Sequence, residues 1–169
     1  PPNILIIGID AWREDTMRPN IVPHIYAYSK HASRFYNHYS GGNCTLAGLY
    51  TLYYGIPSLY WNATSVPPVF FNILHQYHYH YGVYFSACMT YPPFYKNVFS
   101  SVKGIPLTIP GSEPYITDNN ITNDGLKFLN ASKKSKKPFF MFLFYNSAHS
   151  PSVPPNYKKP FLPIQNMGY

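Results

Sequence analysis

The sequence predicts an α/β fold with a mainly parallel sheet and helices on both faces of the sheet. Two continuous aliphatic or aromatic runs, residues 3–9 and 138–145, have the composition of strands that are buried on both sides. Helical patterns alternate with the strand patterns along the chain, as they do in folds built around parallel sheets. With 169 residues, 46% of them hydrophobic, the chain is long enough to form one core.

The expected elements follow one another along the chain. They are strands over residues 3–9, 34–39, 82–86 and 138–145, and helices over residues 23–32, 45–54, 69–79 and 121–131. Pro23 in the first turn supports the start of one helix, and Gly55 followed by Pro57 closes another. Residues 92–114 are rich in Pro, Gly and Ser, so they are expected to be mostly loop with short elements.

The excess of positive charge indicates which kinds of molecule the protein could bind. Lys and Arg number 13 against 6 acidic residues, and the formal charge of +7 favours an anionic partner such as phosphate, sulfate, a lipid headgroup or nucleic acid. No nucleic-acid recognition motif accompanies the lysines, which argues against the last of these. The longest apolar run, residues 138–145, is too short to cross a bilayer, which takes about 20 residues. Pro1-Pro2 directly before a strand pattern predicts that further sequence precedes the chain.

Three places stand where parallel sheets bind ligands, beyond the carboxyl ends of the strands: Asp10, the loop before Thr45 and residues 146–149. Asp10 ends the first strand, and its carboxylate there would suit a hard metal ion, or it could instead cap the next helix or pair with Arg13. Thr45 follows Gly41-Gly42-Asn43 at the start of a helix, where N–H groups and the helix dipole favour an anion. Its hydroxyl would be a nucleophile only beside a metal ion or a base, and the alternative is a simple helix cap.

Each of two other polar clusters could have either an ordinary structural role or a binding role. A histidine cluster consists of His75, His78 and His80. It invites a metal-binding interpretation, but a helix would turn the third histidine away, so a partly exposed aromatic helix end is favoured. The lysine cluster at residues 133–137 lies between a helix and a strand, where a solvated connection is the default and contact with anionic lipid headgroups is the functional alternative.

Several motifs occur in a characteristic order. The first strand ends in Asp10, a Pro-initiated helix leads to Arg34-Phe35-Tyr36-Asn37-His38-Tyr39-Ser40, and residues 118–128 precede the strand that begins near Lys137. Asn146-Ser147-Ala148-His149-Ser150-Pro151 then resembles an Ala-Pro-His-x-Pro loop. Together these motifs resemble the sulfatase-like branch of the alkaline phosphatase superfamily. Residues 40–45 and 53–56 are most similar to the YejM or PbgA-type inner-membrane members of that branch.

The resemblance implies a site and its ligands. Residues 1–169 would form the amino-terminal part of one sulfatase-like domain, whose remaining metal ligands would come from beyond Tyr169. Asp10 and Thr45 would bind one divalent cation, which could be Mg, Mn, Ca or Zn. Asn43 and His149 would contact the anionic group of the substrate. Without the resemblance, His149 would be interpreted as a loop histidine bonded to backbone.

The resemblance also distinguishes the two neighbouring candidates for nucleophile. Sulfatases that oxidise a cysteine need Cys-x-Pro/Ala-x-Arg, whereas Cys44 is followed by Leu46 and Gly48 at the corresponding positions. Counting back ten positions from Gly55 reaches Thr45, the position of the threonine in phosphoethanolamine and phosphoglycerol transferases, which form a phosphothreonine intermediate. Cys44 is then expected to be a small buried neighbour. An oxidising compartment would also allow a disulfide between Cys44 and Cys88.

Two functions are expected from the resemblance. The first is a metal-dependent phospho- or sulfo-ester hydrolase or transferase with a Thr nucleophile. The alternative is a catalytically inactive periplasmic domain that acts as a lipid-sensing or regulatory module of an inner-membrane protein. Either would meet an anionic ester or a lipid headgroup such as that of lipopolysaccharide, on the periplasmic face of a bacterial inner membrane, with membrane attachment through segments outside this chain.

Overall fold

A three-stranded parallel sheet lies at the centre of the protein. The computed structural model describes residues 1–149 and 152–157. The strands are β1 (Ile4–Ile9), β2 (His80–Phe85) and β3 (Phe139–Tyr145), and the helices are α1 (Pro23–Ser29), α2 (Thr45–Tyr54), α3 (Val69–Gln76) and α4 (Pro114–Ser132). Both pairings are parallel and the strand order is β1-β3-β2. The predicted α/β fold with a parallel sheet and helices is therefore confirmed.

Strand β3 is the centre of the core because its side chains alternate between two packed layers. Phe140, Phe142 and Phe144 join a cluster that also contains most of the buried residues of α2 and both buried residues of α3. Met141 and Leu143 point to the other face, where they pack with Ile121 of α4. Both faces of the central strand are thus covered by helices, as its unbroken apolar sequence predicts.

The register brings the carboxyl ends of the three strands to one edge of the sheet. Ile9 of β1 pairs with Tyr145 of β3, and Phe85 of β2 pairs with Phe144. One further ladder bond extends the outer strand, from the Asp10 N–H to the Tyr145 carbonyl at 2.9 Å. The backbone of Asp10 is therefore fixed at the edge where ligands bind in parallel sheets.

The prediction that β1 is covered on both faces is wrong within the described residues. β1 is an edge strand there, and Leu5 and Ile7 on its α4-side face are 47% and 55% exposed. The helix α4 contacts β2 and β3 but does not extend over this strand. A continuous aliphatic run therefore predicts a strand, but it does not determine which helices pack on each face of that strand.

Several other boundaries or elements differ from the sequence prediction; helix α1, for example, ends at Ser29 rather than Ala32. Residues 34–39 form no strand, and Phe35 is 80% exposed, because alternation of aromatic and polar residues produces a strand only where one side is buried and a partner is present. Helix α4 begins at Pro114 rather than Ile121, since proline is favoured in the first helical turn and residues 114–120 continue the helix. Helix α3 ends at Gln76, before His78 takes a positive φ of 55°.

A stability prediction follows from the end of α2. Gly55 is the C-cap residue with φ of 69°, a left-handed conformation that costs residues with a Cβ roughly 1 kcal/mol or more. No atom lies within 4 Å of a Cβ placed there, so backbone strain alone sets the cost. We expect Gly55→Ala to lower the free energy of unfolding by about 1 kcal/mol in urea denaturation. Gly55→Asn, which tolerates this conformation better, should lose less, and an equal loss would contradict the explanation.

Candidate active site

The side chains of Asp10 and Thr45 meet at the carboxyl edge of the sheet. Thr45 Oγ1 donates a hydrogen bond to Asp10 Oδ2 at 3.0 Å, although 35 positions separate the two residues in the sequence. The contact is partly buried. Strand β1 positions the carboxylate and the first turn of α2 positions the hydroxyl, so both groups are held by regular secondary structure.

Thr45 does not act as a helix cap, and Asp10 does not pair with Arg13. Cys44, not Thr45, is the N-cap residue of α2, and no side chain caps this helix. The hydroxyl of Thr45 is turned toward Asp10 instead of toward its own helix. Arg13 pairs with Asp15 at 2.7 Å, which leaves Asp10 to interact with Thr45.

An open cleft of about 1000 Å³ surrounds this pair. Asn43 and His149, the two residues expected to contact substrate, also line the cleft and are exposed. The backbone N–H of His149 donates to the Asn146 carbonyl at 3.0 Å, so the segment after β3 turns back toward the cleft. All four predicted site residues therefore border one cavity. The last two residues of the matching motif, Ser150 and Pro151, lie outside the described residues.

The loop before Thr45 packs tightly against the helix that follows it. A Cβ at Gly41 would collide with the Thr51 side chain, and a Cβ at Gly42 would collide with the Cβ of Ala47. Ser40 Oγ donates a hydrogen bond to the Gly42 carbonyl at 2.8 Å and so fixes the turn. The glycine pair thus lets the chain approach α2 closely enough to bring Asn43 to the cleft.

The acid and the hydroxyl fit part of a site for a hard divalent cation. Carboxylate and hydroxyl oxygens are ligands that such ions accept, but a complete site needs more than two ligands. Within residues 1–149 and 152–157, no group of three or more His, Cys, Asp and Glu side chains could hold a metal ion. Asp10 and Thr45 could therefore supply part, but not all, of the ligands that such an ion needs.

Cys44 borders the cleft, whereas Cys88 and the histidine cluster are not among the residues that line it. Cys44 lines the cleft but is exposed, so the expectation of a buried neighbour is wrong. Both cysteines are free, and a hydrogen bond between Cys88 Sγ and Thr90 Oγ1 at 2.9 Å lowers the pKa of the Cys88 thiol. The histidine cluster leads into the start of β2, which is the edge of the sheet opposite the cleft.

One further histidine lines the cleft. His38 lies on the segment that leads to the Gly41-Gly42 loop, and its side chain borders the same cavity as Asp10 and Thr45. No sequence pattern assigned it a role, because the stretch around it was interpreted as a strand. The sequence signal that could have placed His38 at the cleft is its position between the Pro-initiated helix and the glycine pair, since the loop beside these glycines borders the site.

Comparison with known proteins identifies the family. The family model described as Sulfatase matches residues 2–167. The chain belongs to the sulfatase family. This agrees with the resemblance of the motifs and supports sulfatase-like hydrolase chemistry, for which members of the family generally use a divalent metal ion.

A curated relative of this sulfatase-family chain comes from Haemophilus influenzae (strain ATCC 51907 / DSM 11121 / KW20 / Rd). It is an uncharacterized protein that is 25% identical over an alignment of 147 residues, and the alignment covers 84% of this chain. The chain spans 24% of the length of that relative. The similarity to YejM or PbgA-type proteins stays a prediction, because neither the family nor the relative distinguishes that subgroup. Among the described residues, no helix combines the length and hydrophobicity that a membrane span requires.

Proposed function

We propose that this chain contributes the nucleophile side of the active site in a metal-dependent phospho- or sulfo-ester hydrolase or transferase. The proposal rests on one observation, the 3.0 Å hydrogen bond from Thr45 Oγ1 to Asp10 Oδ2 in a cleft that Asn43 and His149 also line. A hydroxyl held against a carboxylate at the start of a helix combines a nucleophile, an acceptor for its proton and an anion-binding position.

The start of α2 suits the anionic group of an ester. The helix has ten residues, and its N-terminus has no side-chain cap, so the N–H groups of its first turn can bind phosphate or sulfate oxygens. Asn43 precedes this turn, and its amide would add a donor for the same oxygens. His149 borders the cleft from the loop after β3 and would contact the anionic group from that direction.

The reaction proposed for Thr45 is an in-line displacement. Its Oγ1 forms a bond to phosphorus or sulfur, while the bond to the leaving oxygen breaks and that oxygen takes the electron pair. The hydroxyl proton passes to Asp10 Oδ2, the atom that already accepts the hydrogen bond. The oxygen of water or of an acceptor alcohol then bonds to phosphorus or sulfur, and the bond from that atom to Thr45 Oγ1 breaks. Oγ1 takes this electron pair and recovers the proton from Asp10 Oδ2, while the proton of the attacking hydroxyl passes to solvent, from which the first leaving oxygen is protonated. A divalent cation held by Asp10 and Thr45 would supply Lewis acidity, which activates a hydroxyl and offsets the charge of the ester.

A covalent adduct on Thr45 is the test of this function. The full-length protein would be incubated with p-nitrophenyl phosphate or p-nitrophenyl sulfate and with Mg, Mn, Ca or Zn salts in turn. We expect peptide mass spectrometry to find one phosphoryl or sulfuryl group on Thr45, because the intermediate forms a bond to its Oγ1.

Cys44→Ala is the matched control, because it changes the neighbouring cleft residue and leaves the threonine intact. This variant should still carry the adduct on Thr45. An adduct on Cys44 would contradict the proposal, and so would the absence of any adduct and any turnover with all four metals. The second of these outcomes would instead support the catalytically inactive regulatory module, which membership in the family does not favour.

The lysine cluster bears on the proposed partner and on the proposed cellular location. The four lysines of residues 133–137 belong to the connection before β3, at the edge of the sheet opposite the cleft. No ion pair involves them within the described part of the chain. Their charge favours an anionic surface such as lipid headgroups. We propose a protein that acts at the periplasmic face of a bacterial inner membrane, with an anionic ester or lipid headgroup as its substrate.

A further inference from the structure

The loop that carries His149 is held in place by one carboxylate of α4. After β3 ends at Tyr145, Asp118 Oδ1 accepts the N–H of Asn146 at 2.9 Å, and Asp118 Oδ2 accepts the N–H of Ser147 at 3.1 Å. Both oxygens of the side chain are therefore used by consecutive residues of the loop. The turn closes when the N–H of His149 donates to the Asn146 carbonyl.

The same part of α4 also contacts the ends of two strands. Thr122 Oγ1 lies 2.9 Å from the hydroxyl of Tyr145 at the end of β3, and Thr117 Oγ1 lies 2.8 Å from Ser86 Oγ just after β2. The Tyr145 carbonyl in turn accepts the N–H of Asp10. The early turns of α4 are thus connected to β2 and β3 directly and to Asp10 through β3.

We infer that Asp118 is a positioning residue that sets the distance between His149 and the Asp10–Thr45 pair. The inference rests on the proposed function, because it concerns the part of the cleft where the substrate's anionic group would lie. A carboxylate suits this task because it accepts two N–H groups and offers no donor to repel them. Asp118 lies just after the first turn of α4. Both of its carboxylate oxygens accept hydrogen bonds from the loop, so the side chain holds the loop and does not cap its own helix.

The test compares Asp118→Asn with Asp124→Asn in the full-length protein. Asparagine keeps the size of the side chain but replaces one acceptor with an NH₂ group that faces an N–H of the loop. Asp124 lies on the same helix and pairs with Lys127 on the surface, at 2.9 Å, so its variant matches the loss of charge without removing a hydrogen bond to the loop. Three quantities would be measured: amide hydrogen exchange in residues 146–149, the melting temperature, and kcat and KM for p-nitrophenyl phosphate and p-nitrophenyl sulfate.

We expect Asp118→Asn to raise hydrogen exchange at the amides of Asn146 and Ser147 by roughly tenfold, the scale of losing a hydrogen bond to a charged acceptor. KM should rise by roughly tenfold with a smaller change in kcat, because the displaced His149 is proposed to contact the substrate's anionic group. Asp124→Asn should leave exchange in this loop and KM unchanged. A merely structural role would instead reduce the folded fraction, which lowers apparent kcat at constant KM.

Two outcomes would overturn the inference. One is unchanged exchange at Asn146 and Ser147 in Asp118→Asn, and the other is increased exchange with an unchanged KM. Failure of the proposed function is recognised separately, because turnover would then survive in Thr45→Ala or be absent from the wild-type protein. In that case the exchange measurement still decides whether Asp118 holds the loop.

Discussion

Thr45→Ala is expected to abolish ester turnover by the full-length protein. The substitution removes the hydroxyl that donates to Asp10 Oδ2, and a displacement that uses this oxygen has no substitute on the alanine side chain. We expect kcat/KM to fall by at least about a thousandfold, which corresponds to about 4 kcal/mol of transition-state stabilisation. Steady-state kinetics with p-nitrophenyl phosphate and p-nitrophenyl sulfate would measure this loss.

Two further variants make the interpretation specific. Thr45→Ser keeps the hydroxyl and should retain a measurable part of the activity, whereas Cys44→Ala should stay close to wild type because its thiol takes no part in the displacement. Thr45→Ala should also remain folded, since the residue is at the edge of the cleft and only half-buried. Full activity in the folded Thr45→Ala protein would rule out the assignment of the nucleophile.

Phe142→Ala is expected to cause the largest loss of stability. Phe142 is fully buried in the central strand, and its ring lies 5.5 to 5.8 Å from the rings of Tyr53, Phe85 and Phe99. Truncation removes apolar contacts on several sides and leaves a cavity that surrounding rings fill poorly, at a cost of about 3–5 kcal/mol. This is a large fraction of the roughly 5–15 kcal/mol that stabilises a typical domain. Urea denaturation followed by tryptophan fluorescence would measure the change.

Phe35→Ala is the matched control for this core variant. It makes the same chemical change at a phenylalanine that is 80% exposed, so the free energy of unfolding should change by no more than about 0.5 kcal/mol. Phe142→Leu keeps most of the volume and should lose less than the alanine variant. Equal losses for Phe142→Ala and Phe35→Ala would mean that burial in β3 does not determine stability.

The central parts of the fold were predictable because their sequence signals are local. The apolar run of β3 has the length and composition of a strand covered on both sides, and the structure covers it in that way. Helix α2 has its predicted limits, Thr45 and Tyr54, because a glycine in the left-handed conformation ends it. The position of Asp10 at the carboxyl edge of the sheet also followed from its strand. Its convergence with Thr45 was implied by the family resemblance, because the strand predicted before Thr45 does not form.

The remaining features depend on contacts that sequence periodicity does not encode. The alternation in residues 34–39 is compatible with a strand, but whether a strand forms depends on a neighbouring edge that no local pattern describes. The role of Asp118 requires the loop at residues 146–147, which is distant in sequence and adjacent only after α4 packs on the sheet. The need for glycine at Gly41-Gly42 is likewise visible only in the structure, where side chains of α2 leave no room for a Cβ at either position.

The outer strand β1 has a practical consequence for experiments on the isolated 169-residue chain. Its outer edge has no strand partner within the described residues, and two aliphatic side chains beside it face solvent. An uncovered edge of this kind is a template for pairing with another polypeptide, and such edges promote aggregation. Light scattering at several protein concentrations should therefore accompany any unfolding curve recorded on this chain, so that self-association is not mistaken for stability.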